Sequence, residues 1–259
     1  MAQNGLSIPK GFNLLKGQTL DYSKVKFPCV VKPNNTENSL GKLINDYIQN
    51  LRFTIFTFKK FLGINLVRSK DDLKNAISIA FKHSDTIIIE DFIEGREFRC
   101  SVIEKCVDGE IEVIAMPPME YLIDTKGIRD AGQKILVDEQ GLPVGEYNEK
   151  LVMQKKKKKL KKTPAIADKF PVNTSFLAKD SDLAKKIQMT SIAAHKLMKF
   201  KDFSMFDIRL DSDDDVYILE VNLFCSFGPA SALNTHAIQA GFDDKAIFDI
   251  MSNNVLQRC

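Results

Sequence analysis

The stretch MFDIRLDSDDDVYILEVN, residues 205–222, carries two runs of apolar and β-branched residues on either side of an acidic turn, the pattern of a β-hairpin. In the first run Phe206, Ile208 and Leu210 alternate with Met205, Asp207 and Arg209. In the second, Tyr217, Leu219 and Val221 alternate with Val216, Ile218, Glu220 and Asn222. Side chains in a strand change face at every residue, so Glu220 and Asn222 share a face. An antiparallel pairing across residues 211–215 brings Asp207 onto that face beside them. Two carboxylates and an amide carbonyl are the oxygen donors that Mg²⁺ accepts while keeping several waters. Glu220 interrupts the apolar run VYILEV, where a lone carboxylate is costly unless a cation accompanies it. The acidic residues 211–215 read as solvated turn chemistry. They are no EF-hand, because Val216 stands at the loop's sixth position and Asn222 at its twelfth.

Upstream, FPCVVKP (27–33) is a short strand ending at Lys32, followed by the polar loop NNTENSLG (34–41). Such a loop gathers backbone N–H groups and an ammonium around an anion, and a plain surface turn fits it equally. Residues 42–62 contain Phe53, Phe56, Phe58 and Phe61 without Gly or Pro. Their periodicity does not separate a helix from an added hairpin. Residues 69–84 read as a helix: Ser69 and Asp72 form a capping box, and Leu73, Ala76, Ile77, Ala80 and Phe81 form an apolar stripe. TIIIEDF (86–92) is a buried strand, and 98–103 and 111–116 are strands around a turn at Asp108 and Gly109. Residues 121–145 are loop-rich. Residues 181–200 read as a helix capped at Ser181, 229–240 as a helix stopped by Gly241, and 243–255 as a last one. Antiparallel strand runs with helices between them argue α+β layering rather than a doubly wound sheet.

The composition, 44% hydrophobic and 27% charged over 259 residues, is that of an ordinary globular protein. The net charge of +3 rests on seven lysines within residues 155–162, a low-complexity run that reads as a solvated loop. Nothing aromatic interleaves with those lysines, which disfavours a nucleic-acid contact. Five cysteines without CxxC spacing point to a reducing compartment. No signal-peptide core and no run of the ~20 apolar residues that span a bilayer are present. The expectation is a cytoplasmic protein that makes no membrane contact. His83, His195 and His236 are scattered and read as structural or surface residues.

Taken in order, FPCVVKP, IIIEDFIEGREF, YLIDTK and FDIRLDSDDDVYILEVN with its downstream GPASAL resemble the ATP-grasp ligases, closest to the D-alanine–D-alanine ligase group. The resemblance implies an α+β ATP-grasp fold, two α+β subdomains with nucleotide between them. Residues 1–26 would be the remnant of an N-terminal or linker region. Residues 27–116 would form the small subdomain, with 42–62 inserted, and 117–259 the large one carrying the metal site. The implied activity is ATP- and Mg²⁺-dependent ligation of a carboxylate to an amine through an acyl phosphate, with Mn²⁺ as the substitute ion. Small D-alanine-like amino acids would be the substrates and a homodimer the assembly. A nucleotide-binding protein without turnover is the alternative.

Position by position, the resemblance puts Lys32 on the ATP phosphates and Glu90, Asp91 and Ile93 in the hinge that reads adenine. It puts Glu97 on the ribose, Lys126 near the γ-phosphate and Ser231 on the substrate carboxylate. Asp207, Glu220 and Asn222 match the Mg²⁺ ligands, as the strand-face argument had it. The departures are equally specific. Only 26 residues precede the VKP strand, Met205 replaces an arginine that steadies the acyl-phosphate transition state, and Ser226 replaces a glycine of the oxyanion site. Joining Gly41 to Ile64 would restore an uninterrupted ENSLGINLVRS, so 42–62 reads as a retained intron or a lineage insertion.

Overall fold

Two antiparallel sheets, one with a single helix against it and the other with three, organise the described residues in a computed structural model that describes residues 1, 4–34, 63–129, 174–178, 180–223, 231–243 and 245–257. The segment 42–62, the lysine run at 155–162, Ser226 and most of the loops at 34–41 and 121–145 lie outside the described residues.

The first unit comprises the described residues of 9–94 and 126–129. Its strands β1 (Gly11–Leu15), β2 (Cys29–Pro33), β3 (Asn65–Val67) and β4 (Thr86–Asp91) stand in the order β1-β4-β2-β3. Helix α1 (Lys70–Ala80) packs on them, and Leu14, Val31, Val67, Leu73, Ala80, Ile87 and Ile89 form the core. The expected capping box forms: Ser69 Oγ accepts from the Asp72 N–H and donates to the Asp72 carboxylate at 2.6 Å. Strand β1 had no counterpart in the sequence reading. Only Leu14 of its five residues is buried, so the alternation is too weak to register. Gly11 lets it in: a Cβ there would stand 2.7 Å from Glu90 Cβ.

The second unit comprises Met1–Ile8, Gly95–Thr125 and the described residues from 174 onward. It is built on β5 (Arg96–Val107), β6 (Glu110–Ala115), β7 (Met119–Tyr121), β8 (Thr174–Phe176), β9 (Phe203–Leu210) and β10 (Val216–Asn222). The order is β10-β9-β5-β7-β8, and β6 pairs with the far half of β5. Asp108 and Gly109, at φ 51° and 83°, form the expected two-residue turn between β5 and β6. One face of this sheet, with Phe98, Cys100, Val102, Phe206, Ile208, Leu210, Val216 and Ile218, packs on Ile187 and Ala194 of helix α2 (Asp182–Leu197). On the other, Ile103 meets Leu233 and Ala237 of α3 (Ala232–Ala240) and Ile247 of α4 (Ala246–Gln257).

The division between units falls between Glu94 and Gly95, ahead of the expected 116/117. The reason is the pairing of β5 with β9, more than a hundred residues on, which no local pattern announces. Gly95 fits where β5 begins because a Cβ there would lie 1.7 Å from the Leu210 carbonyl oxygen.

Candidate functional site

A bulge in β10 decides which side chains lie on the face of the second unit's sheet that is turned away from α2. Val216 pairs with Leu210 and Ile218 with Ile208, both on the core side. The register then shifts, and Glu220 stands opposite Asp207 and Asn222 opposite Met205. Unbroken alternation would have sent Glu220 to the core opposite Phe206. The extra residue, Leu219, turns it over. The face expected to be common to Val216, Ile218, Glu220 and Asn222 is therefore two faces: the first pair points to the core, the second joins Asp207.

The β5–β9 register completes this surface, setting Glu97 opposite Arg209, Arg99 opposite Asp207 and Ser101 opposite Met205. Arg99 grips Asp207 with both ends of its fork, Nε to Oδ1 at 2.6 Å and Nη2 to Oδ2 at 2.8 Å. Arg209 reaches Glu97 Oε2 through Nε at 3.3 Å and Nη2 at 3.1 Å. Burial works against the Arg99 charge, but Asp207, Tyr121 and Glu220 outweigh it and hold its pKa above the ordinary value. Neither arginine was among the expected site residues. Alternation in EFRCSVI does put Arg99 on the face of Glu97, and alternation in DIRL puts Arg209 on that of Asp207. The partners follow only from the long-range register.

Helix α3 supplies the remaining groups. Ser231 is its N-cap, accepting from the Asn234 N–H at 3.1 Å. His236 is wholly buried with its ring edge-on to Phe176, and among the described residues neither ring nitrogen has a hydrogen-bond partner. Burial, reinforced by the Arg99 charge, lowers its pKa to about 3. Ser101 Oγ and Asn222 Nδ2 are likewise buried without a partner among the described residues. Of the other histidines, His195 is buried and bonds Ser204 Oγ at 2.8 Å, a structural role.

In the first unit Lys32 lies on β2 with its ammonium 2.6 Å from Glu90 Oε1 of the neighbouring β4. The Asp91 N–H donates to the Lys10 carbonyl and the Phe92 N–H to that of Pro28. Ile93 follows directly. Lys126 sits in a turn, 3.7 Å from Glu94 Oε1, and its carbonyl accepts from Arg68 Nη2. The structure thus gathers Lys32, Glu90, Asp91, Ile93 and Lys126 in one unit. Glu97, Asp207, Glu220, Asn222 and Ser231 are in the other.

A family model described as the D-ala D-ala ligase C-terminus matches residues 60–140 and 169–252. The chain belongs to the D-alanine–D-alanine ligase C-terminal family. Among relatives of this ligase family, the D-alanine–D-alanine ligase of Aquifex aeolicus is 25% identical over 91% of this chain and 59% of its own length. That of Buchnera aphidicola is 34% identical over 35% of this chain and 22% of its own length. The chain spans about three-fifths of the Aquifex ligase. A D-alanine–D-alanine ligase from Bacillus anthracis complexed with ATP superposes with a TM-score of 0.57 at 19% identity, covering 99% of this chain and 62% of that one. VanG D-Ala:D-Ser ligase from Enterococcus faecalis gives 0.59 at 18%, covering 97% and 58%. The fold is the α+β ATP-grasp fold of these ligases.

Among the described residues no three of His, Cys, Asp and Glu cluster as a metal site of their own, so a third protein donor to a metal at Asp207 and Glu220 would be the Asn222 amide. The set fits a hard cation by donor type: two carboxylates opposite one another, one of them exposed, and on the same face the amide of Asn222, whose Oδ1 would be the ligand. Among the described residues, too, no helix is long and apolar enough to cross a membrane.

Proposed function

We propose that this chain forms the nucleotide- and metal-binding part of an ATP-dependent ligase that joins a small amino acid's carboxylate to an amine, as in D-alanine–D-alanine ligases. The observation that carries the reading is the register at the bulge, which opposes Glu220 to Asp207 and sets Asn222 on the same face. In this reading Asp207, Glu220 and Asn222 hold Mg²⁺, which neutralises charge on the phosphoryl group in transfer. Lys32 and Lys126 place ammonium charge against the phosphates, and Glu97 accepts from the ribose hydroxyls. Glu90, Asp91 and Ile93 form the hinge along the adenine edge, in which the Asp91 and Phe92 N–H groups are given to Lys10 and Pro28.

The chemistry asks little of the protein beyond position and charge. A carboxylate oxygen attacks the γ-phosphorus and ADP leaves, giving an acyl phosphate. The amine then attacks the acyl carbon and phosphate departs with the C–O bonding pair. Electrostatic preorganisation carries such steps, so no protein nucleophile is needed. Ser231, fixed at the N-terminus of α3, donates a hydrogen bond from its hydroxyl to the substrate carboxylate. Cys29 and Cys100, with thiol pKa values raised by burial to about 11 and about 12, act as small hydrophobes, in keeping with a cytoplasmic protein.

A second reading, nucleotide binding without turnover, is favoured by Met205 at the centre of the face and by the hold of Arg99 on both Asp207 oxygens. ADP release measured against a panel of D-amino acids separates the two. Amino-acid-dependent release that Glu220→Gln abolishes is the ligase result. ATP binding with no release by any amino acid is the result of the second reading.

A further inference from the structure

Arg99 is the resident cation of the carboxylate face. It has taken both oxygens of Asp207, while Glu220 directly opposite adds a second negative charge to its field. The neighbouring Arg209–Glu97 pair is neutral as a unit. The set Arg99, Asp207 and Glu220 therefore carries one net negative charge. A divalent ion added alone would turn that to one net positive charge. It would also take from the guanidinium the carboxylate that neutralises it, and a largely buried charge left without its partner is strongly unfavourable. A phosphoryl anion repairs both effects, since it brings negative charge and matches the planar fork of a guanidinium. Exposure tells the two arginines apart. The Arg99 side chain keeps 19% of its surface against 2% for Arg209, so Arg99 is the more accessible of the two.

We propose that Arg99 couples divalent-metal binding to phosphoryl-anion binding: it holds Asp207 when no metal is there, and turns to the anion when the metal takes Asp207. This rests on the metal reading of Asp207, Glu220 and Asn222 and adds a residue outside that set. Such coupling is reciprocal, so the anion tightens the metal as much as the metal tightens the anion. Arg99 is here a positioning residue with consequences for affinity, and activity is not needed to see it.

The test is a water-proton relaxation titration of Mn²⁺ into the full chain, with and without the non-hydrolysable β,γ-methylene analogue of ATP. Wild type, Arg99→Met, Arg99→Lys and Glu220→Gln are compared. In wild type the analogue should tighten Mn²⁺ by about tenfold or more, the low end for a close buried charge pair. In Arg99→Met, Mn²⁺ alone should already bind about tenfold tighter and the analogue should add little. Arg99→Lys, which keeps the charge but loses the two-point grip, should lie between, and decides the matter if the methionine variant does not fold. Equal Mn²⁺ affinity and equal coupling in wild type and the Arg99 variants would overturn the inference alone. Should wild type and Glu220→Gln be indistinguishable, or no protein take up Mn²⁺ even with the analogue, the metal assignment falls and this inference with it.

Discussion

Arg209 and Glu97 meet inside the six-stranded sheet with their side chains 2% and 7% exposed, so the pair has little water to fall back on. Arg209→Met removes the cation bound to the Glu97 carboxylate and should cost about 3–5 kcal/mol in urea denaturation; a loss below about 1 kcal/mol would mean that the pair is solvated. His236 makes a pH prediction with a definite sign. Its pKa is about 3 in the folded protein against the ordinary 6.5. Between those values the unfolded chain binds the proton and the folded one does not. Stability must then fall as pH drops below about 6.5, by up to about 1.4 kcal/mol per unit. His195, lowered mainly by burial, works in the same direction. His236→Leu, which leaves no ring nitrogen without a partner, should flatten the slope between pH 7 and pH 5; an unchanged slope would place the acid sensitivity elsewhere. At this scale Glu220 stood out as an acid inside an apolar strand, while Asp207 and Glu97 followed from the hairpin pairing and from the family pattern. Their arginine partners were not legible, since Arg99 and Arg209 acquire meaning only when β5 lies beside β9.

The elements were legible where a local pattern specifies them, as with the capping box of α1, the caps Ser181 and Gly241, and the Asp108-Gly109 turn. They were not legible where the pattern is short or interrupted. β1 buries one residue of five, and β8 is three residues long. The bulge at Leu219 is invisible because VYILEV is apolar on both sides of it, so strict alternation assigned Val216 and Ile218 to the face of Glu220. The structure gives this element a prediction of its own. Deleting Leu219 leaves Ile218 opposite Ile208 and Glu220 opposite Asp207 in a regular ladder. The variant should fold and keep its stabilisation by ATP with Mg²⁺. A folded variant that has lost that stabilisation would show that the local twist of the bulge, and not merely the facing of Glu220, is required.

For the whole molecule, the ordered set of four motifs carried the family, because each contributes a group on a strand or turn whose sequence position the fold preserves. The division of the chain was less legible: β5 belongs with β9, so the units change at Gly95. The central claim is that Asp207, Glu220 and Asn222 hold a divalent ion that brings nucleotide with it. Thermal unfolding of the full chain with and without ATP and Mg²⁺, beside Glu220→Gln, tests it most directly. A ligand bound only by the folded state adds about 2.7 kcal/mol at a hundredfold excess over its Kd. The account predicts a rise in Tm that needs ATP and Mg²⁺ together and disappears in Glu220→Gln; no rise, or one that Glu220→Gln leaves unchanged, would contradict it.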